Sequence, residues 1–141
     1  MGKINIGRVI VGGLLAGVVI NIGESLLNAV ILMEQWEAAL KALNKPPMSG
    51  STIALYVVMG FGLGIVAVWL YAAIRPRMGA GPKTAVCAGL TVWALAYLYP
   101  NVGLLPIDLF PTSLLLWSVA WGLGEIVIAS VAGAWLYKEE A

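Results

Sequence analysis

Two glutamates stand where the surrounding sequence is built for hydrocarbon: Glu24 in "VVINIGESLLNAV" (residues 18 to 30) and Glu125 in "WGLGEIVIASV" (residues 121 to 131). A carboxyl group in an apolar stretch can bind a proton or a cation, or serve, when protonated, as a hydrogen-bond donor. No Lys or Arg lies within either stretch to neutralise it. An ionised carboxylate turned toward lipid would cost at least about 2.5 kcal/mol, so both acids are expected to face protein. Of two facing carboxyls, at least one is expected to keep its proton at neutral pH. Two uses fit these atoms. One is hydrogen-bonding glue that fixes helix neighbours, with Asn21, Asn28, Ser25 or Ser118 as partners; the other is a proton- or cation-handling site with access to water. A lipid, quinone or pigment held against the same polar stripe is a third use, and the sequence identifies no cofactor.

The residues around the acids repeat at helical spacing. At about 100° per residue, Gly13, Gly17, Asn21, Glu24 and Asn28 fall within a sector of about 80°. By the same arithmetic Ser118, Gly122, Glu125, Ala129, Ala132 and Gly133 share about 100°. Gly60 and Gly64 add a small-xxx-small pair. Lipid gives no hydrophobic reward for large residues at a helix contact, whereas small residues let backbones approach. All three patterns therefore read as packing faces.

The elements that position these faces must be membrane helices. The 141 residues are 61% hydrophobic and 11% charged, against about 25% charged in a soluble globular domain. A hydrocarbon core about 30 Å thick needs about 20 apolar residues, and the chain offers four such runs, at about 9–33, 53–74, 84–99 and 113–137. The fold class expected is all-α: one domain, residues 1–141, formed by a bundle of four transmembrane helices. The first run is too long for a signal h-region and is read as a retained span. The third is short, with Pro100 expected to close it.

Lys3, Arg8, Arg75, Arg77, Lys83 and Lys138 fall at one end of these spans, and Lys41 and Lys45 at the other, beside Glu34, Glu37 and Asp108. The excess of cations places both termini in the cytoplasm. Beyond the first span, "MEQWEAALKALNKPP" sets Trp36, Leu40 and Leu43 on one face and pairs Glu37 with Lys41 on another, an amphipathic interfacial helix expected to run to Pro46 and Pro47. "PNVGLLPIDLFPTS" is expected to form a shallow interfacial or re-entrant segment, with Asp108 in a turn. Trp69, Trp93, Trp117, Trp135, Tyr71, Tyr97, Tyr99 and Tyr137 are read as aromatic belts.

Inventory excludes much. The chain has no histidine and one cysteine, which removes disulfides, Cys/His zinc sites and an imidazole base; no metal is expected, nor an enzyme. Cys87, lacking a base or a second thiol, reads as a packing residue. A net charge of +1 gathers no nucleic acid. "GFGLG" lacks the preceding strand and the Lys of a phosphate loop. Weak echoes between spans one and three, and between two and four, hint at a duplicated hairpin.

The run "VAVWLYAAIRPRMGAGPKTA" (residues 66 to 85), followed by "LAYLYPNVG", resembles a group of small uncharacterised bacterial four-helix inner-membrane proteins. The resemblance implies a multi-pass protein of the bacterial inner membrane and transfers no functional residue. Glu24 is also similar in placement to the first-span carboxylate of the small multidrug resistance transporters. The chain departs from those in its longer outer segments, its second acid and the motif around Glu24, so the likeness is physical. The expected partners are the lipid bilayer and either further copies of the chain or larger membrane subunits. The leading expectation is a small structural or accessory subunit of a membrane assembly; the rival is a small oligomeric proton- or cation-coupled transporter or channel using Glu24 and Glu125.

Overall fold

A computed structural model describes residues 3–139, and every regular element among them is helical. Helix α1 (Ile6–Leu26) starts at Asn5, whose side chain accepts from the Arg8 N–H at 3.0 Å, supplying a partner for one of the free amides of the first turn. It continues through a π-helical turn, Leu27–Ile31, closed by the Leu32 N–H on the Leu27 carbonyl at 2.8 Å. Helix α2 (Met33–Ala42) follows, then α3 (Gly50–Met78) and α4 (Pro82–Trp93). The third span carries on from α4 through a second π turn (Ala94–Leu98), α5 (Tyr99–Leu104) and a 3-10 turn (Leu105–Ile107), and α6 (Thr112–Leu136) completes the chain.

Four stretches, Ile6–Ile31, Gly50–Met78, Pro82–Ile107 and Thr112–Leu136, are long and apolar enough to cross a membrane. The fold is thus an all-α integral membrane bundle of four such helices, with an amphipathic helix after the first. One end of the bundle, the terminal end, carries the start of α1, the end of α6 and the link from Gly79 to Gly81; the other, the distal end, carries α2 and the link at 108–111.

Three details differ from the pattern of residues alone. The third span does not close at Pro100. A proline in a regular helix removes an i→i−4 hydrogen bond and clashes with the preceding turn, but here the π turn ends just before it and Pro100 sits in the opening turn of α5. The segment that looked interfacial is therefore mostly helix, and only about four residues, with Asp108 at φ 53°, connect it to α6. Helix α2 stops at Ala42, before Pro46 and Pro47, because Asn44 takes a left-handed φ of 54°.

Packing follows the small residues, but each glycine serves a particular neighbour. A Cβ on Gly13 would lie 2.5 Å from the Ile65 backbone, and one on Gly64 would lie 2.5 Å from the Gly17 nitrogen, so α1 and α3 meet backbone to backbone. A second face of α1 does the same with α6: a Cβ on Gly12 would lie 2.5 Å from the Gly133 carbonyl oxygen. Around these crossings Ala16, Ile20, Ala67, Val68, Ala88, Ile126 and Ala129 are buried completely or nearly so. Such contacts gain their stability from dispersion across closely fitted surfaces rather than from release of water.

Candidate functional site

The two acids meet. Glu24 lies on α1 one turn before its π segment, Glu125 at the middle of α6, and between them stands Tyr97 from the π turn of the third span. The Tyr97 hydroxyl is 2.8 Å from Glu24 Oε1 and 3.0 Å from Glu125 Oε1. Asn28 Nδ2 donates to Glu24 Oε2 at 2.7 Å and reaches the Glu24 carbonyl at 3.0 Å. Asn28 Oδ1 in turn accepts from the Trp36 indole of α2 at 2.9 Å. On the other flank the Trp121 indole N–H is shared between the Gly23 carbonyl at 3.1 Å and Glu125 Oε2 at 3.2 Å. Six side chains from four helical segments thus form one continuous polar cluster, with Glu125 buried and Glu24 partly so.

Local backbone chemistry makes this convergence possible. The buried face of α4, Ala85, Ala88, Gly89 and Val92, would continue in a straight helix at Ala96, leaving Tyr97 about 100° further round. The wider π turn underwinds the chain and brings Tyr97 onto that face instead. Such turns occur frequently at functional sites. Two glycines clear space for the side chains: a Cβ on Gly122 would run into the Tyr97 ring, and one on Gly23 would lie 2.8 Å from the carboxyl carbon of Glu125.

A proton count defines what the cluster can do. Tyr97 has one hydroxyl proton and faces two carboxyl oxygens, so with both acids ionised one oxygen would lack a donor. A proton on either acid completes the set, for instance with Glu125 donating to the Tyr97 oxygen while Tyr97 donates to Glu24. The site then keeps one negative charge. No Lys or Arg joins it, and no group of three or more His, Cys, Asp or Glu placed to hold a metal ion occurs among the described residues. Contacts of 2.7 to 3.2 Å suit a proton better than a larger cation, which would have to part them.

The polar stripe on α1 divides between neighbours. Asn28 joins the acids, but Asn21 sits against Gly60 and donates to the Val57 carbonyl of α3 at 3.1 Å. Ser118 bonds back to the Leu114 carbonyl of its own helix at 3.1 Å, and Ser25 is exposed, so neither serves the acids. Among the packing residues, Gly13, Gly17, Gly60 and Gly64 lie between α1 and α3, Gly122 against Tyr97, and Gly133 against α1, while Ala129 is buried in the core. Trp69, Trp117, Trp135 and Tyr99 are exposed along the helices, as belt residues would be. Tyr97 is not one of them, and Trp93 donates inward to the Val119 carbonyl at 2.9 Å.

Tyr97, Trp121, Trp36 and Gly23 are the site members that sequence reading did not assign to the acids. For Trp121 the signal was available: it lies one turn before Glu125 on the same helix, at the spacing whose side chains meet. No protein family model, no curated protein and no solved structure matches the chain.

Proposed function

We propose that this chain is a small proton-coupled membrane transporter, with Glu24 and Glu125 exchanging a proton through Tyr97. The observation that carries the reading is the convergence of two carboxyls from different spans on one phenol, in an apolar bundle and without a cation. Ionisable groups placed this deep are costly, and they mark proton or ion pathways often enough to set the starting hypothesis. The proposal includes a bacterial inner-membrane location with both termini cytoplasmic, on the cation distribution, which makes the distal end the outer one.

The test is proton flux into liposomes holding a pH-sensitive dye. Glu24→Gln and Glu125→Gln are expected to abolish protein-dependent flux while the chain still folds and assembles. Unchanged flux in both variants, with assembly impaired, would instead support the second reading, a structural or accessory subunit in which the acids are packing specifiers. One feature favours that alternative: nearly every residue of Gly50–Met59, the distal part of α3, is exposed, a surface that further copies or a larger subunit could cover.

A further inference from the structure

We infer that helix α2 is the gate through which the acids exchange protons with the distal solution, and that the Trp36 to Asn28 hydrogen bond is its latch. The inference rests on the proton-handling reading and adds to it a side, an element and a residue.

The cluster is asymmetric along the bundle. Toward the distal end polar contacts are continuous from Glu125 through Tyr97, Glu24 and Asn28 to Trp36. Glu24 lies seven residues before the end of its span at Ile31, about 10 Å at 1.5 Å per residue. Toward the terminal end the neighbouring positions are apolar and tightly buried: Ile20, Ala16, Ile126, Ala129 and Val68. Ser130, a buried polar side chain on that stretch of α6, finds no hydrogen-bond partner, so the polar chain stops there. Further on, Tyr71 and Tyr137 pack edge to face at 5.9 Å, and the Tyr137 hydroxyl accepts from the Asn5 N–H at 3.3 Å.

The element bonded to Asn28, the distal partner of Glu24, is α2. Trp36 bonds Asn28 and rests edge-on against Phe110 at 5.6 Å, beside a small cluster formed by Leu27, Leu32, Ala39 and Leu114. That cluster is as tightly buried as the seam below but much smaller. An amide does not readily relay a proton, so Asn28 acts here as a shutter: when Trp36 lifts, water reaches Glu24. The proton then moves inward in one concerted step. The O–H bond of protonated Glu24 breaks as one forms on the Tyr97 oxygen, and the original phenol proton passes to the Glu125 carboxylate; Glu24 ends ionised, Glu125 neutral and Tyr97 unchanged. The titratable groups facing the site are Glu24 from α1, Glu125 from α6 and Tyr97 from the third span; α3 contributes none, and the charged residues of α2, Glu34, Glu37 and Lys41, are exposed.

The experiment is a pH jump on sided membrane vesicles containing the full chain, followed by the infrared carbonyl stretch of protonated carboxyl groups and assigned with Glu24→Gln and Glu125→Gln. Acidifying the distal side is expected to raise the band sooner than acidifying the terminal side. Trp36→Phe should speed the distal response about fivefold, the population change that one net hydrogen bond contributes, and leave the terminal response unaltered. Phe110→Leu, which loosens the rest of Trp36 and leaves its hydrogen bond in place, should act in the same direction. An unchanged equilibrium titration of the band shows that each variant has folded. A band that responds equally from both sides, or a distal rate that neither variant alters, overturns the gate while leaving the proton site standing. No Glu24- or Glu125-dependent band at any pH overturns the proton-handling reading itself.

Discussion

The two halves of α1 solve the same problem differently. From Gly12 to Ile20 the helix is held by close backbone approach, glycine against Ile65 and Gly64 on one side and against Gly133 on the other. From Gly23 onward it is held through side chains, with Glu24 and Asn28 reaching Tyr97 and Trp36. The first half tolerates almost no added volume; the second tolerates rearrangement, because hydrogen-bond partners can be exchanged while van der Waals fit cannot. The rigid half frames the bundle and the adaptable half carries the chemistry.

Substitutions can break that contrast. The largest effect is expected for Gly64→Leu, which forces the α1 to α3 crossing apart; overpacking of this kind costs about 3 kcal/mol, to be read as loss of unfolding free energy by steric trapping in bicelles. Tyr97→Phe should cost about 2 kcal/mol in the same assay, because it removes the one donor shared by the Oε1 atoms of buried Glu125 and part-buried Glu24. Its penalty should shrink in acid, where protonated carboxyls can donate to each other, whereas the penalty of Gly64→Leu should not depend on pH. If both follow pH alike, the distinction between the halves fails. Ser130→Ala sharpens the comparison from the other direction: deleting an unpartnered buried hydroxyl should leave stability unchanged or raise it by up to about 1 kcal/mol, seen as an equal or higher melting midpoint in detergent. The smallest effect is expected at the terminal end, where Arg75 lies 5.6 Å from the centre of the Tyr137 ring and 3.6 Å from Glu139. Arg75→Gln should lower stability by about 0.5 kcal/mol, and less at high salt.

The four apolar runs and the two buried acids were legible because hydrocarbon imposes a length and penalises charge, and both signals survive without any tertiary information. The glycine pattern also showed, but not which neighbour each glycine serves: Asn21 and Glu24 share a sector of α1 yet face α3 and the third span respectively. Gly12 and Gly23 escaped notice because they lie on a second face of α1, and a search for one stripe finds one. Tyr97 was hidden for a stronger reason. Its orientation depends on a π turn, and a fixed 100° per residue assigns it to lipid; near a span end an aromatic residue then reads as an anchor. The continuation past Pro100 was hidden by the same turn.

That turn binds two residues to one fate. Straightening this stretch at unchanged length would turn Tyr97 about 100° away from the glutamates and at once leave Pro100 inside an uninterrupted helix with a carbonyl it cannot satisfy. The third span cannot regain regular winding over these residues without losing the tyrosine and stranding the proline together, so the irregularity that assembles the acid pair also protects it.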